Sequence, residues 1–414
     1  MHDSLSMLVS RFDEFGITRL ANTTWLDRIG ISTHSCVCPG TTDVISVYNG
    51  KGVDACQSAL SAIMECLERT SALWDTTRIV LDSEANLLRS NKVMIPAEFT
   101  EPLRANYAST DTIPWVKAES ICGTESYLVP ADLAFDGFRP RHLPPSPFKI
   151  VTSNGLGAGF SKERALSHAL YEVVERDVVS CVELKASFHA AGLLEHVATA
   201  LGVDRDLIAR EFVDDHNAAC SVDLSTAPTE ILELINRYHL AGIDFHLKQL
   251  PSIFKIPVFG ACAIEDFGEG GVLAAAGFAA HLDPLTACRA AVLEVAQSRA
   301  TSLQGAREDY HDKPIKSRID RLPKSDWLLS PSDEAVSFNS ADHRDWHLDS
   351  LVELYSKIQA GGLDEIAVVN FEKYPGIFVY RVLIPGAETV HATGGLSRVG
   401  HRAKAIVNTR THTQ

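Results

Sequence analysis

No apolar run in this chain approaches the roughly 18 residues that a membrane-spanning helix needs, so no membrane span is expected. The opening Met1-His2-Asp3-Ser4 has no basic stretch leading into an apolar core; no secretory signal is read there, and a cytoplasmic protein is expected. Close cysteine pairs are scarce. Of nine cysteines only Cys36 and Cys38 are near neighbours, and C-x-x-C does not occur, so no zinc or redox site is expected. Cys56, Cys66, Cys181 and Cys288 fall in helical patterns among apolar neighbours, which suits reduced, buried thiols. Basic charge is in deficit: 38 Lys and Arg against 53 Asp and Glu give a net charge of −15, which argues against a nucleic-acid-coating surface. A local basic site for a peptide or nucleotide remains open. Two phosphate-binding signatures are also missing. Gly50-Lys51-Gly52 lacks the spacing and the following Ser or Thr of a P-loop, and Gly155, Gly157 and Gly159 run into Phe160-Ser161-Lys162 rather than completing G-x-G-x-x-G. No His-rich ligand set or serine or cysteine nucleophile motif supports a metal hydrolase.

What is present is an ordinary globular composition, 45% hydrophobic and 22% charged, in 414 residues. That length suits one large domain or two to three ordinary ones. One pattern occurs three times. Asn49-Gly50-Lys51-Gly52 precedes Ser61-Ala62-Ile63-Met64-Glu65-Cys66-Leu67-Glu68-Arg69. Ser153-Asn154-Gly155-Leu156-Gly157-Ala158-Gly159 precedes His168-Ala169-Leu170-Tyr171-Glu172-Val173-Val174-Glu175-Arg176-Asp177. Ala276-Gly277 precedes Leu293-Glu294-Val295-Ala296-Gln297-Ser298-Arg299. In each, a glycine stretch leads to a helix whose polar pair is spaced i, i+3 and so shares one face. A lone E-x-x-E-R is usually a solvated face. Here the flanking residues are apolar nearly all round, which marks buried helices. Buried carboxylates need partners; two on one face suit a hard cation or arginines.

Short strands and turns are expected from Thr18 to Val47, then a helix from about Asp54 to Trp74, then mixed helical and extended pieces from about Ala85 to Leu133. Arg139 to Pro147 is a loop, because its prolines forbid a helix or a central strand. A helix starts near Pro228 and stops at Gly242; Phe245 to Leu250, Pro257 to Ile264, Ile366 to Asn370 and Ile377 to Ile384 are strands. Gly305 to Glu334, charged and broken by Pro314, Pro323 and Pro331, is expected as a loop or cover. Strands alternating with helices give an α/β fold, with β-sheets flanked by helices and the repeated helices in pseudo-symmetric positions.

Taken in this order, the motifs resemble the YcaO family, in the branch that partners with TfuA-like proteins. The matching residues are Ile17-Thr18-Arg19, Leu26-Asp27-Arg28-Ile29-Gly30-Ile31, Gly50-Lys51-Gly52, Ser61-Ala62 with Glu65 and Glu68-Arg69, and Ser153-Asn154-Gly155-Leu156. To these are added Ser167-His168-Ala169-Leu170 with Glu172 and Glu175-Arg176-Asp177, Glu294 to Arg299, and Gly305-Ala306-Arg307, with a weaker match at Val379 to Pro385. The resemblance implies one large YcaO-type domain, 46–414, with an N-terminal strand and turn segment, 1–45, packed on it. It also implies ATP-dependent activation of a peptide backbone amide, giving an azoline when a substrate Cys, Ser or Thr attacks and a thioamide when sulfide does. Mg2+ would lie on Glu65, Glu68, Glu172, Glu175 and Glu294. The nucleotide would lie on Lys51, Ser61, Arg69, Ser153, Asn154, Arg176, Gln297 and Arg299, although Arg69 and Arg176 can instead pair with the glutamates. The partners implied are a ribosomally made precursor peptide and a TfuA-like protein, and a homodimer is expected, with no nucleic acid.

The chain departs from the family pattern at Phe160, where Asn is usual, and at Arg164, where Glu is usual; Arg289 sits five residues before Glu294 instead of four. These motivate a second reading, a non-catalytic peptide-binding scaffold. The C-terminal Asn408 to Gln414 lacks the Pro-rich tail of azoline-forming members, which tilts the expectation toward thioamide formation or a divergent cyclodehydratase. His168 reads as a packed or surface residue, and Asp283-Pro284 as a helix start.

Overall fold

The computed structural model describes residues 2–186, 215, 217–268, 271–305, 326–338, 350–389 and 400–411. The fold is mixed α/β, with several sheets flanked by helices, and it contains two compact units. One comprises Met1–Thr70, His216–Ser252 and Ile256–Asp349; the other comprises Ser71–Asp215, Ile253–Lys255 and Ser350–Gln414. Residues 1–45 lie within the first unit, where their strands are hydrogen-bonded to the first glycine-rich stretch.

That contact is a three-stranded antiparallel sheet of β1 (Arg19–Asn22), β2 (Ser32–Val37) and β3 (Val47–Gly52), with Ser32 opposite Gly52 and Val37 opposite Val47. The first unit also has a five-stranded sheet. Its strands are β8 (Cys220–Asp223), β9 (Asp244–Leu250), β10 (Val258–Gly268), β11 (Gly271–Ala280) and β12 (Ala335–Ser337), in the order β11-β10-β9-β8-β12. Alternate residues of three strands, Phe245 and Leu247, Phe259 and Ala261, Ala275 and Ala279, belong to one core. They share it with Ile231, Leu234 and Tyr238 of helix Thr229–Leu240 and with Ala287, Ala291 and Val295 of helix Pro284–Gln304. The period of two on the strands and of 3.6 on the helices meet in that core. Asp283 caps the second helix by accepting from Leu285 and Thr286 N–H at 3.3 and 3.0 Å, with Pro284 at its first position as expected.

The second unit holds a six-stranded sheet of β4 (Val80–Ser83), β5 (Thr112–Ser120), β6 (Ser126–Pro130), β7 (Leu156–Gly159), β13 (Ala367–Asn370) and β14 (Phe378–Leu383). The order is β4-β5-β13-β14-β7, with β6 also on β5. Helix Lys162–Ala186 lies on β7 and β14. The expected helix from Asp54 to Trp74 is Ala55–Ser71. Of the expected cover from Gly305 to Glu334, most lies outside the described residues, as do Ala306 and Arg307. Asp326–Leu329 within it is helical, with Trp327 and Leu328 buried.

The three glycine stretches are explained by one contact. A Cβ on Gly50 would lie 2.1 Å from Ala62 N and 2.3 Å from Ser58 O. On Gly157 it would lie 2.3 Å from Ala165 O and 2.6 Å from Ala169 N, and on Gly277 2.5 Å from Ala291 O and 2.7 Å from Val295 N. Each strand therefore presses its glycine into the backbone of the helix that follows, at residues four apart, and no side chain fits. The pseudo-symmetry expected from the sequence is this repeated seat. We expect Gly50→Ala to cost about 3 kcal/mol or more, since the obstacle is backbone and cannot swing aside. Gly268→Ala, where φ is +75° and nothing lies within 4 Å, should cost about 1 kcal/mol in thermal melts.

Candidate functional site

Seating a helix on glycine fixes where its polar pair stands. In the first unit the Ala55–Ser71 helix carries half-buried Ser61 and Glu65 and buried Glu68. Ser61 and Glu65 are four apart and Glu68 three further on, so the three share one face. Arg69 next to them makes a two-pronged pair with Asp43, Nε to Oδ2 at 3.0 Å and Nη2 to Oδ1 at 2.8 Å, and Tyr48 donates its hydroxyl to the same Asp43 at 2.9 Å. Asp43, 5% exposed, was not singled out by the sequence.

On β3, Gly50 and Gly52 face that helix, so Asn49 and Lys51 point to the opposite face by strand alternation. There Lys51 Nζ lies 3.0 Å from Glu294 Oε2, and both side chains are about a quarter exposed. Gln297 donates to the Asn49 carbonyl at 3.2 Å, and the Asn49 amide donates to Thr301 at 2.9 Å. Lys51, Glu294 and Gln297 are thus brought together as expected. Arg299 is not with them. It is 1% exposed, with Nε and Nη2 on Asp27 at 2.8 and 3.3 Å and Nη2 on Glu265 at 2.7 Å, while Arg28 pairs with the other Glu265 oxygen. Arg299 holds the fold. The third copy is also displaced: Glu65 and Glu172 follow the glycine-contacting Ala62 and Ala169 by three residues, whereas Glu294 precedes Val295 by one. Its polar pair stands about one turn nearer the helix N-terminus.

In the second unit, Glu172 Oε2 accepts the Gly155 N–H at 2.9 Å, tying the glycine loop to its helix. Arg176 lies 3.8 Å from Glu172 and 3.6 Å from Glu175, the arginine pairing anticipated from the sequence. Asn154 is half-buried, and its Oδ1 is buried with no hydrogen-bond partner among the described residues. Beside it lie two residues the sequence did not reveal, buried Glu101, whose carboxyl is pushed up by burial, and Arg381, which donates to the Thr152 carbonyl before the loop. Ser153 accepts the Leu156 N–H through its carbonyl and is half-buried.

A family model described as YcaO cyclodehydratase, ATP- and Mg2+-binding, matches residues 49–388, taking in all three glycine-seated helices. The chain belongs to the YcaO family. Its YcaO fold is similar to that of YcaO from Methanopyrus kandleri, solved with AMPPCP and Mg2+, at a TM-score of 0.69 and 23% identity over 97% of this chain and 94% of that one. An uncharacterized protein of Methanothermobacter thermautotrophicus is 29% identical over 98% of this chain and 96% of its own length. A protein encoded in the tfuA 3′ region of Rhizobium leguminosarum bv. trifolii is 26% identical over 94% and 88%.

The YcaO residues suit a hard cation. Each donor is a carboxylate oxygen, half-buried or buried, on a helix held at its glycine. Among the described residues, no three His, Cys, Asp or Glu side chains form a ready-made metal cluster. Arg176 balances Glu172 and Glu175, and Lys51 balances Glu294, as bare carboxylates require. Phe160 and Arg164, the departures from the YcaO pattern, are both exposed, and Arg289 pairs with Glu230 at 3.1 Å. His168 is exposed. No described helix is long and apolar enough to cross a membrane.

Directly after Arg176, Asp177 accepts from the Glu388 N–H at 2.8 Å and pairs with Arg402, while Glu388 accepts from Gly400 and Ala403 N–H at 3.1 and 3.0 Å. Burial raises both carboxyls above their ordinary range; the Asp177 charge adds to the rise at Glu388, while Arg402 and the Glu388 N–H hold Asp177 back in part. For an acid whose folded value is raised, the stabilising contribution is complete below its unfolded value and is lost as pH rises through the folded one. Glu388→Gln should therefore flatten the loss: melts from about pH 4 to 8 should show wild type declining against the variant as pH rises. Parallel melts across that range would remove the pair from the pH dependence.

Proposed function

We propose that this chain is an ATP- and Mg2+-dependent enzyme that activates a peptide backbone amide, and that its product is a thioamide made with a TfuA-like partner. The observation that carries the reading is the repeated seat: polar residues fixed on glycine-seated helices, with Lys51 on Glu294 and Arg176 on Glu172 and Glu175. Glu65, Glu68 and Glu294 in the first unit, and Glu172 and Glu175 in the second, would hold Mg2+. The cation would supply charge neutralisation for phosphoryl transfer. Lys51 and Arg176 would exchange their carboxylate partners for phosphate oxygens. Ser61, Ser153, Asn154 and Gln297 would orient the nucleotide, Asn154 through its unpartnered oxygen. Arg69 and Arg299 act one step back, by fixing Asp43, Asp27 and Glu265.

The chemistry balances. A nucleophile forms a bond to the amide carbon, and the carbonyl electron pair moves to oxygen. That oxyanion takes the γ-phosphoryl group and ADP leaves; phosphate carrying the amide oxygen then departs. With sulfide the product is C=S; with a substrate Cys, Ser or Thr it is a ring. Sulfide is not tethered to the peptide, so a partner that delivers it gains effective concentration. The relative encoded beside tfuA supports that choice. The family description, cyclodehydratase, favours the ring as the second reading. A homodimer belongs to the proposal, and its mass in solution tests it.

Mass spectrometry of the modified precursor peptide decides between the products. Exchange of oxygen for sulfur raises the mass, as we expect. Loss of one water at a Cys, Ser or Thr would overturn the thioamide and leave the azoline. A scaffold without catalysis would leave the peptide unchanged with ATP intact.

A further inference from the structure

A basic pocket stands in this acidic chain, apart from the residues named above. It has a volume of about 260 Å3 and lies wholly in the second unit, lined in part by Arg78, Lys117, Glu119, Lys162, Asn370 and Tyr380. Glu119 is the only carboxylate in this lining, against three cations. Arg78 is half-buried, its guanidinium 5.7 and 5.0 Å from the rings of Phe135 and Phe371, and Lys162 sits 5.9 Å over the Tyr380 ring. The Tyr380 hydroxyl donates to nearby Glu372. None of the three cations has an ion pair with a described carboxylate.

The pocket coincides with a break in the sheet. On β5, Trp115 is opposite both Val80 of β4 and Pro130 of β6, so β4 and β6 occupy opposite edges. Glu119 is opposite both Ser126 of β6 and Val368 of β13, so β13 shares the β4 edge. Between those partners, Val116 to Ala118 belong to neither ladder on that edge. The Ile121 N–H donates to Ile366 on this edge, whereas the Ser120 N–H donates to Glu125 on the other. By alternation, the Lys117 N–H and C=O point into the gap. Leu128, opposite Lys117, uses its own N–H and C=O on Lys92 and Met94, which agrees. Neither ladder on that edge, to β4 or to β13, includes Lys117.

We propose that this gap receives a short extended segment of the peptide substrate carrying an acidic side chain. The segment adds to β5 at Lys117 through backbone hydrogen bonds, and its carboxylate meets Arg78, Lys117 and Lys162. Exposed backbone supplies a strand-addition template, and the local cations, in a chain of net charge −15, select an acidic partner over a basic one. The proposal rests on the peptide-modifying reading for its occupant, but not for the binding itself.

The test uses the full chain without nucleotide and a fluorescent Thr-Glu-Val peptide, acetylated and amidated at its ends. Binding by anisotropy should fall roughly tenfold or more when the peptide's Glu becomes Gln, and again for the Lys117→Glu protein. Methylating the backbone nitrogen of the peptide's Glu should also weaken it. Lys117 is exposed on the surface, so Lys117→Glu should fold and keep Mg-ATP affinity; Arg78→Gln gives a second variant. Equal binding of the Glu and Gln peptides, or displacement by free glutamate at the peptide's own concentration, overturns the proposal. Peptide binding without any Mg-ATP affinity would instead overturn the proposed enzyme and leave the docking site standing.

Discussion

Glu65→Gln and Glu175→Gln are each expected to lower ATP turnover by about 10²–10³-fold or more while the chain stays folded. Each exchange keeps shape and removes one negative charge from a helix seated on glycine. A hard cation loses a charged ligand, and phosphoryl transfer depends almost wholly on positioning and charge. The folded state loses little. Without metal the neighbouring carboxylates repel one another, so Glu65→Gln in EDTA should melt with wild type or slightly higher, while Glu175→Gln trades that repulsion for a lost pair with Arg176 and should melt within about 1 kcal/mol of wild type. Wild type should gain about 2.7 kcal/mol when Mg-ATP is present at a hundred times its dissociation constant, and the variants should not. Unchanged turnover in both would remove these glutamates from the cation site.

Arg299→Met is expected to act through the opposite route, on folding. The guanidinium is 1% exposed and joins Asp27 to Glu265, both themselves buried. Deleting it leaves two interior carboxylates facing one another with only the half-exposed Arg28 nearby. Removing one partner of a buried ion cluster costs about 3–5 kcal/mol, which lowers the melting temperature by about 3–6 °C in a chain of this size. Adding Asp27→Asn and Glu265→Gln should recover part of the loss, because the three residues form one network and their effects do not add. A variant that melts like wild type but has lost ATP affinity would return Arg299 to the nucleotide site.

That contrast shows what could be read from the chain alone. The glycine-seated helices were legible because their signal is local: glycines, then an apolar helix with polar residues three apart. Helix Thr229–Leu240 and the Asp283-Pro284 start were legible for the same reason. The partners were not. Asp27 lies 272 residues from Arg299, and nothing near either residue announces the pairing. Arg69 also grips Asp43, which lies in a segment between strands whose sequence has no pattern to announce it. Strand β11, rich in Ala and Gly, has low intrinsic strand preference, so no strand is expected there from the sequence; its ladder with β10 is a tertiary effect. Strand β5 is buried on both faces along its middle, which hides the period of two. The register shift of the third copy is invisible in sequence, because it is measured from the helix to the strand beneath.

The most direct measurement is isothermal titration of the purified full chain with ATP, in Mg2+ and again in EDTA. The account predicts saturable ATP binding that requires Mg2+, present in wild type and lost in Glu65→Gln. ATP affinity that is absent in wild type, or identical with and without Mg2+, would contradict it.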